Sequence, residues 1–236
     1  MRARNVIDMH LVNRMQAFGW PLFAVVFAFA IILSVGLIVG SLGPAAQVGM
    51  NEGMQWNGAI FALLGPLIGY GFTSMGQYFP LALGLGLTRR EFAAGLSAVF
   101  LGNAVAYSVL ITIGKTIEKA TDGFGLHVRF FDVFYTGTGA SWQTLVQTFL
   151  LILTVLYLGA AITAAFLRFG QVFLWGAGAV LALIALGIIA GAILLDGFGR
   201  ALLDVLTMGW GSWMAVIAVL GLLSAAAWLV RRTQVS

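Results

Sequence analysis

Gly19-Trp20-Pro21-Leu22-Phe23-Ala24-Val25-Val26-Phe27-Ala28-Phe29-Ala30-Ile31-Ile32-Leu33-Ser34-Val35-Gly36-Leu37-Ile38-Val39-Gly40 is the stretch that decides the class of this chain. It contains no Asp, Glu, Lys, Arg or His. As a helix rising about 1.5 Å per residue it reaches about 33 Å, enough to cross the hydrocarbon core of a bilayer. Five further stretches share this character: Ala59–Gly86, Ala93–Gly114, Thr144–Leu167, Gln171–Leu195 and Gly211–Val230. Together they predict an all-α, polytopic integral membrane protein with six transmembrane helices, residues 19–230 forming the membrane domain.

Composition agrees. Of 236 residues, 61% are hydrophobic and only 8% charged, and the mean hydropathy is +1.02. A soluble domain could not bury that much apolar surface, and a disordered chain needs the opposite balance. No cysteine is present, which excludes disulfides, thiolate metal sites and cysteine catalysis.

The second stretch is the longest and holds Pro66 and Pro80. Proline removes a backbone donor and crowds the preceding turn, so a kinked helix that continues past one membrane face is expected.

With the N-terminus cytoplasmic, six spans return the C-terminus, including the 231–236 tail, to the same side. The inner segments then carry Arg2, Arg4, Arg14, Arg89, Arg90, Arg168, Arg231 and Arg232 with only Asp8 and Glu91, a local sum of +6. The outer segments carry Lys115, Lys119, Arg129 and Arg200 against Glu52, Glu118, Asp122, Asp132, Asp196 and Asp204, a sum of −2. This distribution obeys the positive-inside rule. The overall net charge of +4 therefore speaks of topology and not of nucleic acid.

Residues 1–18 precede the first span. Ile7, Leu11, Met15 and Phe18 recur at helical spacing, which predicts a cytoplasmic amphipathic helix on the membrane surface; the alternative is a simple basic flank. The apolar run that follows is too long for a signal peptide. Residues 115–143 are long enough to fold outside the membrane. Residues 196–210 are apolar enough to re-enter it, as Ala201, Leu202, Leu203, Val205 and Leu206 suggest; such backbone is tolerated where protein buries it.

The spans are poor in chemistry. His10 and His127 fall outside them, and Thr73, Ser74 and Ser212 have no base inside the membrane to activate them. An intramembrane hydrolase is thereby disfavoured, as is ion coupling through membrane carboxylates. No metal or cofactor site is expected. The chain lacks Gly-x-x-x-x-Gly-Lys-Ser/Thr, so any ATP must be used by another subunit. Gly36/Gly40, Gly65/Gly69 and Gly187/Gly191 have the spacing that lets helices approach closely. Gln143, Gln147, Thr154 and Tyr157, with Thr144 and Thr148 nearby, put a polar stripe on the fourth span. It serves either interhelical hydrogen bonding or a translocation path.

One inner turn stands out: Gln77-Tyr78-Phe79-Pro80, then Gly84-Leu85-Gly86-Leu87-Thr88-Arg89-Arg90-Glu91-Phe92 and Gly95. Thr88 can cap a helix starting at Arg89, with Glu91 closing the box. A short cytosolic helix here would display Arg89, Arg90 and Phe92, as topological anchors or as a docking element.

This turn resembles the corresponding segment of ABC-2-class ABC transporter permeases, and the six-span layout and N-terminal helix are similar too. The resemblance implies the membrane subunit of a bacterial plasma-membrane exporter, with no catalytic residue of its own. Two permease chains, identical or related, would enclose a path for a lipid, peptide, antibiotic or other amphiphile. A separate ATPase subunit would bind ATP and Mg. Thr88, Arg89, Arg90, Glu91 and Phe92 would form the coupling helix that docks on that ATPase. The N-terminal helix would be the family's connecting helix, and 196–210 its re-entrant segment. The 115–143 segment has no counterpart in the resemblance. A non-transporting membrane scaffold or sensor is the alternative.

Overall fold

The structure, a computed structural model, describes residues 2–136, 139–195, 197, 199, 200, 217 and 221. Among these residues the chain is all helix and turn, with no strand. Five helical segments are long and apolar enough to cross a membrane: Met15–Gly40, Ala59–Gly84, Arg89–Ala120, Ser141–Phe169 and Gln171–Leu194. They match the first five apolar stretches. The sixth, Gly211–Val230, lies outside the described residues except for Ile217 and Gly221, as do most of 196–210 and the 231–236 tail.

The chain opens with α1 (Arg2–Val12) and continues into α2 (Trp20–Gly40) through a π turn, Met15–Gly19. Pro21 sits in the first turn of α2. Its missing N–H leaves the preceding turn without the usual bond, which a locally widened turn accommodates. The expected single helix over 1–18 is therefore corrected: α1 stops at Val12. Its buried face also differs. Val6 and His10 are buried and Met15 is exposed, while Ile7 and Phe18 of the expected stripe pack partly buried against the core and the side chain of Leu11 lies outside the described residues.

The second span is interrupted in the way its prolines require. A 3₁₀ turn (Ala59–Leu63) leads into α4 (Leu64–Thr73), a π turn (Ser74–Tyr78) and α5 (Phe79–Gly84). Before it, α3 (Pro44–Met54) follows a left-handed Gly43 at φ 107°. The sequence reading had no helix there; Pro44 at its first position is the signal.

The third span is one helix of 32 residues, α6 (Arg89–Ala120), about 48 Å long. α7 (Ser141–Phe169) runs back beside it, and α8 (Gln171–Leu194) follows with no buried residue. The core is the seam of α4, α6 and α7, with α1 lying mainly against α6. At the crossing of α4 and α7 the backbones nearly touch. A methyl on Gly71 would sit 2.6 Å from the Leu156 carbonyl oxygen, and one on Gly159 would sit 2.5 Å from that of Ile68. This pair, and not Gly65/Gly69 or Gly187, marks the close approach; those three glycines have open space around them.

Candidate functional site

Two polar regions stand at opposite ends of α6. The first surrounds its start. Thr88 is extended (φ −77°, ψ 153°), its hydroxyl accepts from the Glu91 N–H at 3.2 Å, and the Glu91 carboxylate accepts from the Thr88 N–H at 2.8 Å. The capping box is formed, and Thr88, Arg89 and Arg90 are exposed. Phe92 behaves differently from the expectation. It is 1% exposed, packed edge-on against Phe79 at 5.2 Å. The turn does not carry a short separate helix; it opens directly into α6, and one helical step past Glu91 already faces the core. Of the five residues assigned to docking, Arg89 and Arg90 point their charge outward, Thr88 and Glu91 are spent on the cap, and Phe92 is core.

Beside Phe92 lies a group the sequence reading placed outside the spans and left unused. His10 is fully buried, its ring 4.5 Å from Tyr78, 5.8 Å from Tyr70 and 6.2 Å from Phe92. Its Nδ1 and the Tyr70 hydroxyl are 2.8 Å apart, whereas Nε2 is buried with no partner among the described residues. Burial pushes the imidazole down to about 4, because charging it would strand a cation away from water. The available signal was the i, i+4 pair Val6/His10. A neighbouring bond ties the π turn of span one to that of span two, from the Tyr78 hydroxyl to Gln16 Oε1 at 3.1 Å.

The second region caps the other end. Residues 121–136 fold back over the helix ends. Four consecutive residues, Asp122 to Gly125, have positive φ, as does His127; Asp122, Phe124 and His127 carry the steric cost of that conformation. The tie is electrostatic. Glu118, buried in the last turn of α6, accepts three backbone N–H groups, from Phe130 (3.0 Å), Phe131 (2.8 Å) and Asp132 (3.0 Å). Lys115, at 0% exposure, donates to the Thr144 hydroxyl at 2.6 Å and the Gly139 carbonyl at 3.2 Å, and lies 3.4 Å from Asp132. The fit is tight: Val128 seats on Gly36 and the Phe131 ring on Gly114, while Phe29 of α2 meets Phe124, Phe130 and Phe131. Arg129 donates to Asn51 at 2.7 Å, and Phe134 N–H to the Gln55 carbonyl at 2.8 Å, joining the cap to the α3 region.

A cleft of about 170 Å³ opens beside this cap, lined by Asn51, Lys119, Asp122, His127, Arg129 and Asp132 among others. Its polar groups lie against one another: His127 Nδ1 is 2.7 Å from Asp122 Oδ2, and Lys119 Nζ is 3.5 Å from Asp132 Oδ1. Among the described residues no group of three His, Asp or Glu converges to hold a metal.

The polar stripe of α7 runs between the two regions. Gln147 is buried and donates to the Tyr135 carbonyl at 2.8 Å. Thr154 is buried and donates to the Ile217 carbonyl at 3.2 Å. Tyr157 is half-buried, its ring 5.3 Å from Phe100, and Gln143 is half-buried near the top of the helix. The Gln147 bond reaches the 3₁₀ turn Phe134–Thr136 and the Thr154 bond reaches Ile217; among the described residues the Oε1 of Gln147 has no partner. Set against known protein families, curated proteins and solved structures, the chain matches none of them.

Proposed function

We propose that this chain is the membrane subunit of an ATP-driven transporter of the ABC-2 permease type, working as a dimer of permease chains with a separate ATPase. The observation that carries the reading is the exposed Arg89–Arg90 pair, held by a formed Thr88–Glu91 cap at the start of a helix long enough to cross a membrane. A force applied to that pair acts on the whole of α6, since the helix is continuous over 32 residues. In this reading the Thr88 end is cytoplasmic, in a bacterial plasma membrane, and the cap over 121–136 is external. The chain contributes no catalytic residue; ATP and Mg belong to the partner, whose differential contacts with two states of the permease drive transport. The cargo is an amphiphile, exported.

The docking footprint on this turn is narrower than the resemblance implies. Phe92 is withdrawn into the core, so the contact rests on Arg89 and Arg90, and the partner's matching surface is acidic. The test is co-expression with each P-loop ATPase of ABC type encoded in the source genome, followed by purification through a tag on this chain. Stoichiometric recovery of the ATPase, lost in the Arg89→Glu, Arg90→Glu variant, supports the reading. Absence of any association with the unmodified chain removes it.

A non-transporting scaffold or sensor is the second reading. What favours it is that Gln147 and Thr154 spend their hydrogen bonds inside the bundle and not on a wet path. The same co-purification separates the two.

A further inference from the structure

The ring of His10 is the one imidazole that the fold carries from the N-terminal helix into the packing between spans two and three. It is enclosed by three elements: α4 through Tyr70, the Ser74–Tyr78 π turn through Tyr78, and α6 through Phe92. Only one of its ring nitrogens is bonded. Whichever nitrogen holds the proton, the neutral ring leaves a single polar atom unsatisfied; the protonated ring presents an N–H at Nε2 with nowhere to donate.

Among the described side chains, the groups around the ring offer no compensating charge. Among the described residues α4 and the π turn present the neutral hydroxyls of Tyr70 and Tyr78. α6 presents the Phe92 ring, and its Glu91 carboxylate is bound to Thr88. On α1 itself Asp8 is exposed, and Arg14, just beyond, is exposed too. α1 is also set apart mechanically. The single turn residue Asn13 and the π turn Met15–Gly19 lie between it and α2, so the two are separate helical segments.

We propose that α1 is a detachable latch on the bundle, closed by the neutral His10 ring seated among Tyr70, Tyr78 and Phe92, and released by a proton at Nε2. Release uncovers the Ser74–Tyr78 π turn, which stays joined to the Met15–Gly19 π turn by the Tyr78–Gln16 bond. The sign follows from burial. The detached ring titrates near its ordinary value of 6.5 and the docked ring near 4. Docking is therefore strongest above pH 6.5 and weakens as pH falls toward 4. Between pH 8 and pH 5.5, a window in which most carboxylates stay charged, the docking equilibrium shifts about tenfold toward release.

The chain has no cysteine, so one introduced thiol is the only one to react. Val6→Cys places it on the buried face of α1, beside His10; Asp8→Cys places it on the exposed face. Maleimide labelling rates of the two, each in the full chain in lipid nanodiscs, are taken as a ratio, which cancels the pH dependence of the thiol. The latch predicts that the buried-to-exposed ratio rises about tenfold from pH 8 to pH 5.5, and that adding His10→Gln makes it flat. A ratio unchanged in the His10 chain overturns the proposal without any substitution at position 10. So does a rise of equal size in the His10→Gln chain.

Discussion

The cap and the latch solve the same problem, seating a polar segment on an apolar bundle, with opposite degrees of satisfaction. At the cap, Glu118 receives three N–H donors, and Lys115 finds a hydroxyl, a carbonyl and a carboxylate. At the latch, His10 has one bonded nitrogen and one orphan. Buried groups bonded in full rigidify a fold, whereas one left short makes the packing conditional. The difference teaches where the molecule can move: the cap holds together the ends of α2, α6 and α7 that lie beside residues 121–136, and relative motion is left to the end where the π turns and α1 lie.

Breaking the cap has the largest expected effect. Glu118→Ala leaves three buried N–H groups unpaired and lowers stability by roughly 3–5 kcal/mol, read as a fall in the thermal midpoint in detergent. An equal fall from His10→Gln would erase the distinction between the two ends. Next comes the crossing that joins them. Gly71→Ala drives a methyl against the Leu156 carbonyl and costs about 1–3 kcal/mol, whereas Gly65→Ala, with open space around it, is neutral or slightly stabilising in the same assay. The pH dependence is smaller: from pH 8 to 5.5 the neutral His10 site loses about 1.4 kcal/mol of docking free energy, seen as a roughly tenfold fall in the protection factors of α1 amides, each rate referred to the unstructured-chain rate at its own pH, with no change in α6 beyond Gly114. Smallest is Thr88→Ala, which removes the cap of α6 for about 1 kcal/mol and sharpens the comparison by fraying only the turn end.

The spans were legible because a run of uncharged apolar residues has few other readings, and five of them stand where the sequence put them. The Thr88–Glu91 box was legible because its geometry is local. Proline positions foretold the interruptions of the second span. The rest depended on partners distant in sequence. Gly71 and Gly159 meet across 88 positions of chain, so a search for glycines four apart within one helix missed them. Lys115 and Glu118 read as exterior charges because the apolar run ends at Gly114, yet α6 continues past it and 121–136 folds over both. His10 read as a flank because nothing local says that Tyr70, Tyr78 and Phe92 will enclose it. Phe92 was misread in the same way, since the cap fixes where a helix begins and not which side of it is covered.

The docking role of Arg89 and Arg90 is the central claim, and ATP hydrolysis in proteoliposomes tests it most directly. The chain is reconstituted with the P-loop ATPase that co-purifies with it, and turnover is compared with and without Arg89→Glu and Arg90→Glu. The account predicts that the unmodified chain alters the ATPase rate several-fold and that the double variant returns it to the rate of the ATPase alone, with fold and insertion preserved. An unmodified rate in the double variant, or an ATPase indifferent to the permease in every case, would contradict it.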